Sequence, residues 1–94
     1  MLMKIYSSEE VQDKLSSILG WALVDDAIEK KFEFKDFKAA LGFIVQVGIL
    51  AEQADHHPEL SNVYNKVTIR LNTHSANSIT SKDFELAEKI DCIN

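Results

Sequence analysis

A single cysteine, Cys92, excludes an intramolecular disulfide, and one thiol of this kind fits a reducing compartment. Its neighbourhood reads as a terminal helix in which Cys92 is a small apolar residue. With one proline and three glycines, the chain has no proline-rich, glycine-rich or collagen-like tract, so no long disordered linker is expected. Runs of basic residues are missing as well. The ten Lys and Arg are scattered and outnumbered by fifteen Asp and Glu, for a net charge of −5 and a pI near 5.0. That balance argues against a nucleic-acid backbone or an anionic membrane surface as a direct partner. Purely apolar runs such as Gly48-Ile49-Leu50-Ala51 stop far short of membrane-spanning length. The N-terminal stretch reaches Glu9-Glu10 before any signal-peptide apolar region develops. The expectation is a soluble cytoplasmic protein, with residues 1–94 forming a single domain around one modest core.

What is present is strong local punctuation. Ser7-Ser8-Glu9-Glu10 has the form of a capping box, and Val11, Leu15, Ile18 and Leu19 then share one face of a helix expected to end at Gly20. Trp21, Leu23 and Asp25-Asp26 suggest a short strand and turn. From Ala27 to Phe34 the pattern alternates, with Ile28, Lys30, Phe32 and Phe34 on one face and Lys30 as the odd polar member. Asp36 can cap the longest helix, expected over 36–54. Phe37, Ala40, Leu41, Ile44, Val47, Leu50 and Ala51 form its main apolar stripe; Phe43, Val45 and Ile49 lie off it. That surplus suggests a second covered face, such as a contact with another subunit. Pro58 stops the helix and disfavours helical geometry at His57.

Beyond it, Val67, Ile69 and Leu71 alternate with Lys66, Thr68 and Arg70. A turn is expected at Tyr64-Asn65, where Asn tolerates left-handed backbone. Residues 73–78 read as loop, and Thr80 with Asp83 opens a last helix whose buried stripe is Phe84, Ala87, Ile90 and Ile93. The order is α-β-β-α-β-β-α. The fold class expected is α+β, a four-stranded antiparallel sheet with three helices packed on one face.

All three histidines, His56, His57 and His74, fall within residues 56–74. If the third and fourth strands make a hairpin, its open ends bring His74 to within about 5–10 Å of the His pair, because strands lie ~4.8 Å apart. Three readings compete. Three imidazoles can hold zinc, but adjacent histidines on an extended segment diverge, and no His-Glu-x-x-His is present. They can be plain surface residues. Or they are acid–base groups in a cleft, suited at neutral pH to an elimination or tautomerisation. No Gly-x-Ser-x-Gly elbow or glycine-rich phosphate loop offers other chemistry.

Glu52, three residues, His56-His57-Pro58, five residues, Tyr64, nine residues, His74, eight residues and Asp83 form a spacing that resembles the pterin-4a-carbinolamine dehydratases. The likeness extends over Trp21, the segment from Ala27-Ile28 to Phe34-Lys35-Asp36-Phe37, Gly42-Phe43, Ala51-Glu52, Asp55-His56-His57-Pro58-Glu59, Asn62-Val63-Tyr64-Asn65-Lys66-Val67 and Thr73-His74, roughly residues 17 to 92. The resemblance implies a hydro-lyase that converts 4a-hydroxytetrahydropterin (4a-hydroxytetrahydrobiopterin in the type reaction) to quinonoid dihydropterin. It restores the pterin used by an aromatic amino-acid hydroxylase and needs no metal or organic cofactor. It also implies the same sheet and helices, and a homodimer or homotetramer. Animal relatives double as dimerisation cofactors for a homeodomain transcription factor, so the alternative is a non-catalytic binding or assembly module of the same fold.

On that resemblance His57 and His74 are assigned to proton transfer and His56 to positioning and proton exchange. Asp55, Pro58, Glu59, Thr73 and Lys82 are expected around the substrate, with Glu59 or Asp55 able to orient an imidazole. Asp83 matches the motif and also suits a helix cap. Three departures stand out. Leu60 replaces a frequent Trp, Lys82 a frequent Arg, whose planar fork is lost, and Gln53 a frequent Lys. All spare the histidines, so activity is expected to survive and pterin affinity to differ.

Overall fold

The computed structural model describes residues 3–93; Met1, Leu2 and Asn94, the ends of the expected domain, lie outside the described residues. Helix α1 (Ser8–Leu15) is followed by β1 (Ala22–Val24), β2 (Ala27–Glu33), helix α2 (Phe37–Ala54), β3 (Glu59–Val63), β4 (Lys66–Leu71), a 3₁₀ turn (His74–Ala76) and helix α3 (Ser81–Asp91). The four strands form one antiparallel sheet in the order β1-β2-β4-β3. Ile28, Val67, Ile69 and Leu71 are fully buried and share one core with Val11, Ala40, Phe43, Val47, Ala51, Phe84, Leu86, Ala87 and Ile90. The helices therefore cover one face of the sheet, and the alternating residues Glu29, Thr68 and Arg70 point to the other.

Helix starts follow the side-chain caps. Ser7 accepts from the Glu10 amide while the Glu10 carboxylate accepts from the Ser7 amide. That backbone contact, helped by Lys4, holds the Glu10 pKa below its ordinary value. Asp36 accepts from the Ala39 amide. Thr80 and Asp83 form a second capping box.

The structure corrects three details. Helix α1 ends at Leu15 rather than Gly20: the Ser16 and Ser17 hydroxyls bond back to Asp13 O and Lys14 O, and the backbone tightens into three-residue turns. Leu19 is consequently exposed. Gly20 still closes the segment at φ +91°, where a Cβ would also meet Lys30 Cε at 2.9 Å. On α2, Phe43 is buried while Phe37 and Leu41 are exposed. The Phe43 ring packs at 4.7 Å and 4.9 Å from those of Phe32 and Phe34, and this rotates the helix. The surplus apolar stripe is therefore Phe37, Leu41, Val45 and Ile49, at four-residue steps. In the β3–β4 turn the left-handed residue is Tyr64 (φ 51°), not Asn65, whose side chain instead donates to Phe34 O. At 18 residues and mean hydropathy 1.3, α2 has the length and composition of a membrane span, although no single apolar run in it does; Ala40, Phe43, Val47 and Ala51 pack it into the core.

Lys30 looked out of place on the core face of β2. Its ammonium leaves the core at the edge, where it meets Asp91 Oδ1 at 2.8 Å and Leu19 O at 3.1 Å. Asp91 Oδ2 accepts from Trp21 Nε1 at 2.9 Å. One carboxylate thus ties α3 to β2 and to the α1–β1 connection. Asp91→Ala strands the indole N–H and leaves a part-buried ammonium with only Leu19 O, and is expected to cost about 1–3 kcal/mol in a urea melt.

Candidate active site

The C-terminus of α2 decides where the two adjacent histidines go. Asp55 takes left-handed backbone (φ 51°, ψ 45°), its amide bonds to Ala51 O and Glu52 O, and the His56 amide bonds to Ala51 O. Pro58 prevents any further helix. This sharp exit sends His56 inward, to 8 % exposure, and His57 outward into solvent.

His56 Nε2 lies 2.5 Å from Asp83 Oδ1. Asp83 is fully buried, and its Oδ2 accepts from Thr73 Oγ1 and from the Thr80 amide, each at 2.9 Å. The Thr73 proton is committed to Asp83, so the Thr80 hydroxyl must donate across the 2.7 Å Thr73–Thr80 contact. The Thr80 oxygen in turn accepts from the Lys82 amide. Asp83 therefore caps α3 and also fixes His56, linking that helix to the segment before the 3₁₀ turn. Buried polar networks of this kind hold geometry because every member is satisfied.

His57 and His74 line one small cleft of about 170 Å3 at the open end of the β3–β4 hairpin, together with Asp26, Ala27, Glu59, Arg70 and Asn72. The hairpin register, Glu59 opposite Arg70, is what brings the two imidazoles to one place. His57 Nε2 contacts Glu52 Oε1 at 2.6 Å, across the exit from α2. The residue that orients this imidazole is therefore Glu52, which the spacing had included without a role. Neither Glu59 nor Asp55 does so. Glu59 turns to Arg70 Nε at 3.1 Å, and Asp55 is the exposed left-handed cap of α2.

The remaining expected residues divide between two places. Glu59 belongs to the His57–His74 cleft, and Pro58 is half-buried beside it in sequence. Thr73 is buried in the Asp83 network, directly before His74. Lys82 lines a different depression, about 210 Å3, with His56, Ala54, Ser81 and Glu85. His56 therefore lines this second hollow and not the cleft of His57 and His74. Leu60 is 37 % exposed on edge strand β3.

Arg70, Asp26 and Asn72 escaped the sequence reading. Arg70 Nη1 donates to Glu29 at 2.8 Å, and this bond holds its pKa above the ordinary value. The Asn72 amide donates to Asp26 O and fastens the β1–β2 turn beside His74. Among the described residues no three His, Cys, Asp or Glu side chains converge to hold a metal ion. What the cleft offers is two exposed imidazoles, one with a carboxylate behind it, within reach of a single small molecule. That arrangement can give and take protons.

The family described as pterin 4 alpha carbinolamine dehydratase matches residues 4–93. A provisionally named pterin-4-alpha-carbinolamine dehydratase from Paraburkholderia xenovorans is 47 % identical over 89 residues, covering 93 % of each chain. One from Sulfurisphaera tokodaii is 44 % identical over 89 residues, covering 95 % of this chain and 96 % of the relative. The crystal structure of a Brucella melitensis transcriptional coactivator/pterin dehydratase superposes with a TM-score of 0.91 at 42 % identity, covering 95 % of this chain and 97 % of that one.

Proposed function

Since the chain belongs to the pterin 4 alpha carbinolamine dehydratase family, we propose that it eliminates water from 4a-hydroxytetrahydropterin and yields quinonoid dihydropterin by histidine acid–base catalysis. The observation that carries this reading is the pairing of His57 and His74 in one cleft. In the proposed step one imidazolium protonates the 4a oxygen, the C4a–O bond breaks and water leaves. The N5–H electrons form the C4a=N5 bond as the second, neutral imidazole takes the N5 proton. One imidazole loses a proton and the other gains one, so exchange between them or with water resets the site. Glu52 orients His57, and Asp83 orients His56, which serves positioning and proton exchange. No metal or organic cofactor enters the scheme.

The context proposed is cytoplasmic recycling of the pterin consumed by an aromatic amino-acid hydroxylase. The test is to generate 4a-hydroxytetrahydropterin and follow its dehydration spectrally. The rate is expected to exceed the spontaneous one in proportion to protein added; no acceleration would refute the enzyme reading.

Assembly as a homodimer or homotetramer is proposed through the exposed stripe Phe37, Leu41, Val45 and Ile49 on α2, four apolar residues that the chain's own core leaves uncovered. Val45→Glu is expected to shift sedimentation velocity to the monomer, with unchanged circular dichroism at about 25 °C and a thermal midpoint that no longer rises with protein concentration. A wild-type monomer at the same concentration would refute the assembly. The coactivator role of the Brucella relative gives a second reading, with the same stripe as a docking face for another protein. In that case Val45→Glu would leave turnover intact and abolish only the partner contact.

A further inference from the structure

The outer face of the sheet carries an ion cluster around Arg70, and it borders the cleft. In the register, Arg70 has Glu29 directly across on β2 and Glu59 directly across on β3. All three polar corners of its guanidinium face carboxylates of this chain: Nη1 to Glu29 at 2.8 Å, Nε to Glu59 at 3.1 Å and Nη2 to Asp26 at 3.7 Å. Three carboxylates against one guanidinium leave two negative charges. The exposures show where those charges sit. The side chains of Arg70 and Glu29 are 24 % and 16 % exposed, while Glu59 and Asp26 are 75 % and 78 % exposed. The cation is sunk and already partnered; the surplus anions stand at the mouth of the cleft.

The cleft is small. Pockets that enclose a drug-sized ligand run to roughly 300–1,000 Å3, whereas this one is about 170 Å3. A bicyclic ring placed beside His57 and His74 would leave little of this volume for its side chain, which would then lie against a lining that includes Asp26, Glu59 and Asn72. A hydroxylated side chain finds acceptors and an amide there. A phosphate or carboxylate meets two exposed carboxylates, while two donor edges of the nearby guanidinium are held by Glu29 and Glu59 and the third faces Asp26 at 3.7 Å.

We propose that Arg70 and its three carboxylates make the cleft selective for pterins whose side chain is uncharged and turn away those bearing a phosphate or carboxylate. The inference rests on the dehydratase reading, because it takes the ring of a pterin to lie at His57 and His74. Arg70 acts here as a specificity residue through its partners and has no role in proton transfer.

The probes are a 7,8-dihydropterin with a trihydroxypropyl side chain and its monophosphate, with dissociation constants measured by calorimetry at low and high ionic strength. For the wild type at low salt, the neutral compound is expected to bind about fivefold more tightly, the scale of one charge pair near a solvated surface. The ratio is expected to shrink toward one at high salt, where such charges are screened. Asp26→Asn/Glu59→Gln removes the two surplus charges at the cleft and frees Nε and Nη2 of Arg70; the ratio is expected to fall to one or to invert in favour of the monophosphate. Circular dichroism of the variant checks that it is folded, and the salt series on the wild type tests the idea without any variant.

Equal or tighter binding of the monophosphate by the wild type overturns the selectivity, as does a ratio unmoved by salt or one unmoved in the folded variant. If dehydration of 4a-hydroxytetrahydropterin is accelerated while the two probes bind alike, only the selectivity is lost. If neither probe binds and no acceleration is seen, the dehydratase reading falls and takes the selectivity with it.

Discussion

Replacing Asp83 with alanine is expected to cost about 3–5 kcal/mol of folding stability, the penalty for breaking a buried charged network by removing one partner. The carboxylate is fully buried and satisfies His56 Nε2, the Thr73 hydroxyl and the Thr80 amide at once. Alanine leaves three buried donors without acceptors and removes half of the α3 capping box. A domain of this size has roughly 5–15 kcal/mol in total, so the loss should be visible as a large fall in the urea midpoint with an unchanged slope. Asp83→Asn should recover part of it, since the amide oxygen still accepts while the NH2 group opposes other donors.

Glu52→Gln is the matched comparison. The His57–Glu52 contact at 2.6 Å is nearly as short as His56–Asp83 at 2.5 Å, but its side chains are 60 % and 79 % exposed against 9 % and 0 %. Burial rather than distance decides the outcome, and the exposed pair should contribute under about 1 kcal/mol. Similar losses from the two substitutions would contradict the role given to the Asp83 network.

The largest expected effects on turnover belong to His57→Ala and His74→Ala, each lowering kcat for dehydration by about 10²–10⁴-fold, the usual contribution of a positioned acid or base. Both imidazoles are exposed, so stability should move by no more than about 0.5 kcal/mol. That split separates them from His56. His56→Ala removes a buried partner of Asp83 and should lower kcat and the melting midpoint together. Wild-type kcat in His57→Ala or His74→Ala would remove that residue from proton transfer. A stable His56→Ala variant with full activity would remove His56 from the positioning role given to it.

How far the sequence could be read depended on the range of the interactions. The β3–β4 hairpin was legible because Val67, Ile69 and Leu71 alternate with polar residues and a turn follows Val63. Both capping boxes were legible because their partners lie three residues apart. The buried face of α2 was not. Residues 37–51 are apolar almost all round, so the helical period has no polar side to set its phase, and the rings of Phe32 and Phe34 choose Phe43 from another element. The end of α1 was hidden in the Ser16 and Ser17 hydroxyls, which favour bonds to preceding carbonyls over one more helical turn.

In the site, the hairpin argument foretold that His74 returns to the histidine pair. It could not foretell that the left-handed Asp55 would divide the pair, one imidazole going to Asp83 and the other to the cleft. Glu52 and Asp83 stood in the motif, yet their partners become visible only in three dimensions. Arg70 between Glu29 and Glu59 needs the strand order β1-β2-β4-β3, which local patterning does not encode.

The central claim is that the His57–His74 cleft carries the dehydration. The most direct measurement is the rate of 4a-hydroxytetrahydropterin dehydration with a His57→Ala/His74→Ala variant that melts like the wild type. The account predicts that the rate falls to the spontaneous value, with the double loss less than the product of the single losses because the two groups act on one step. A double variant that retains the wild-type rate would contradict it.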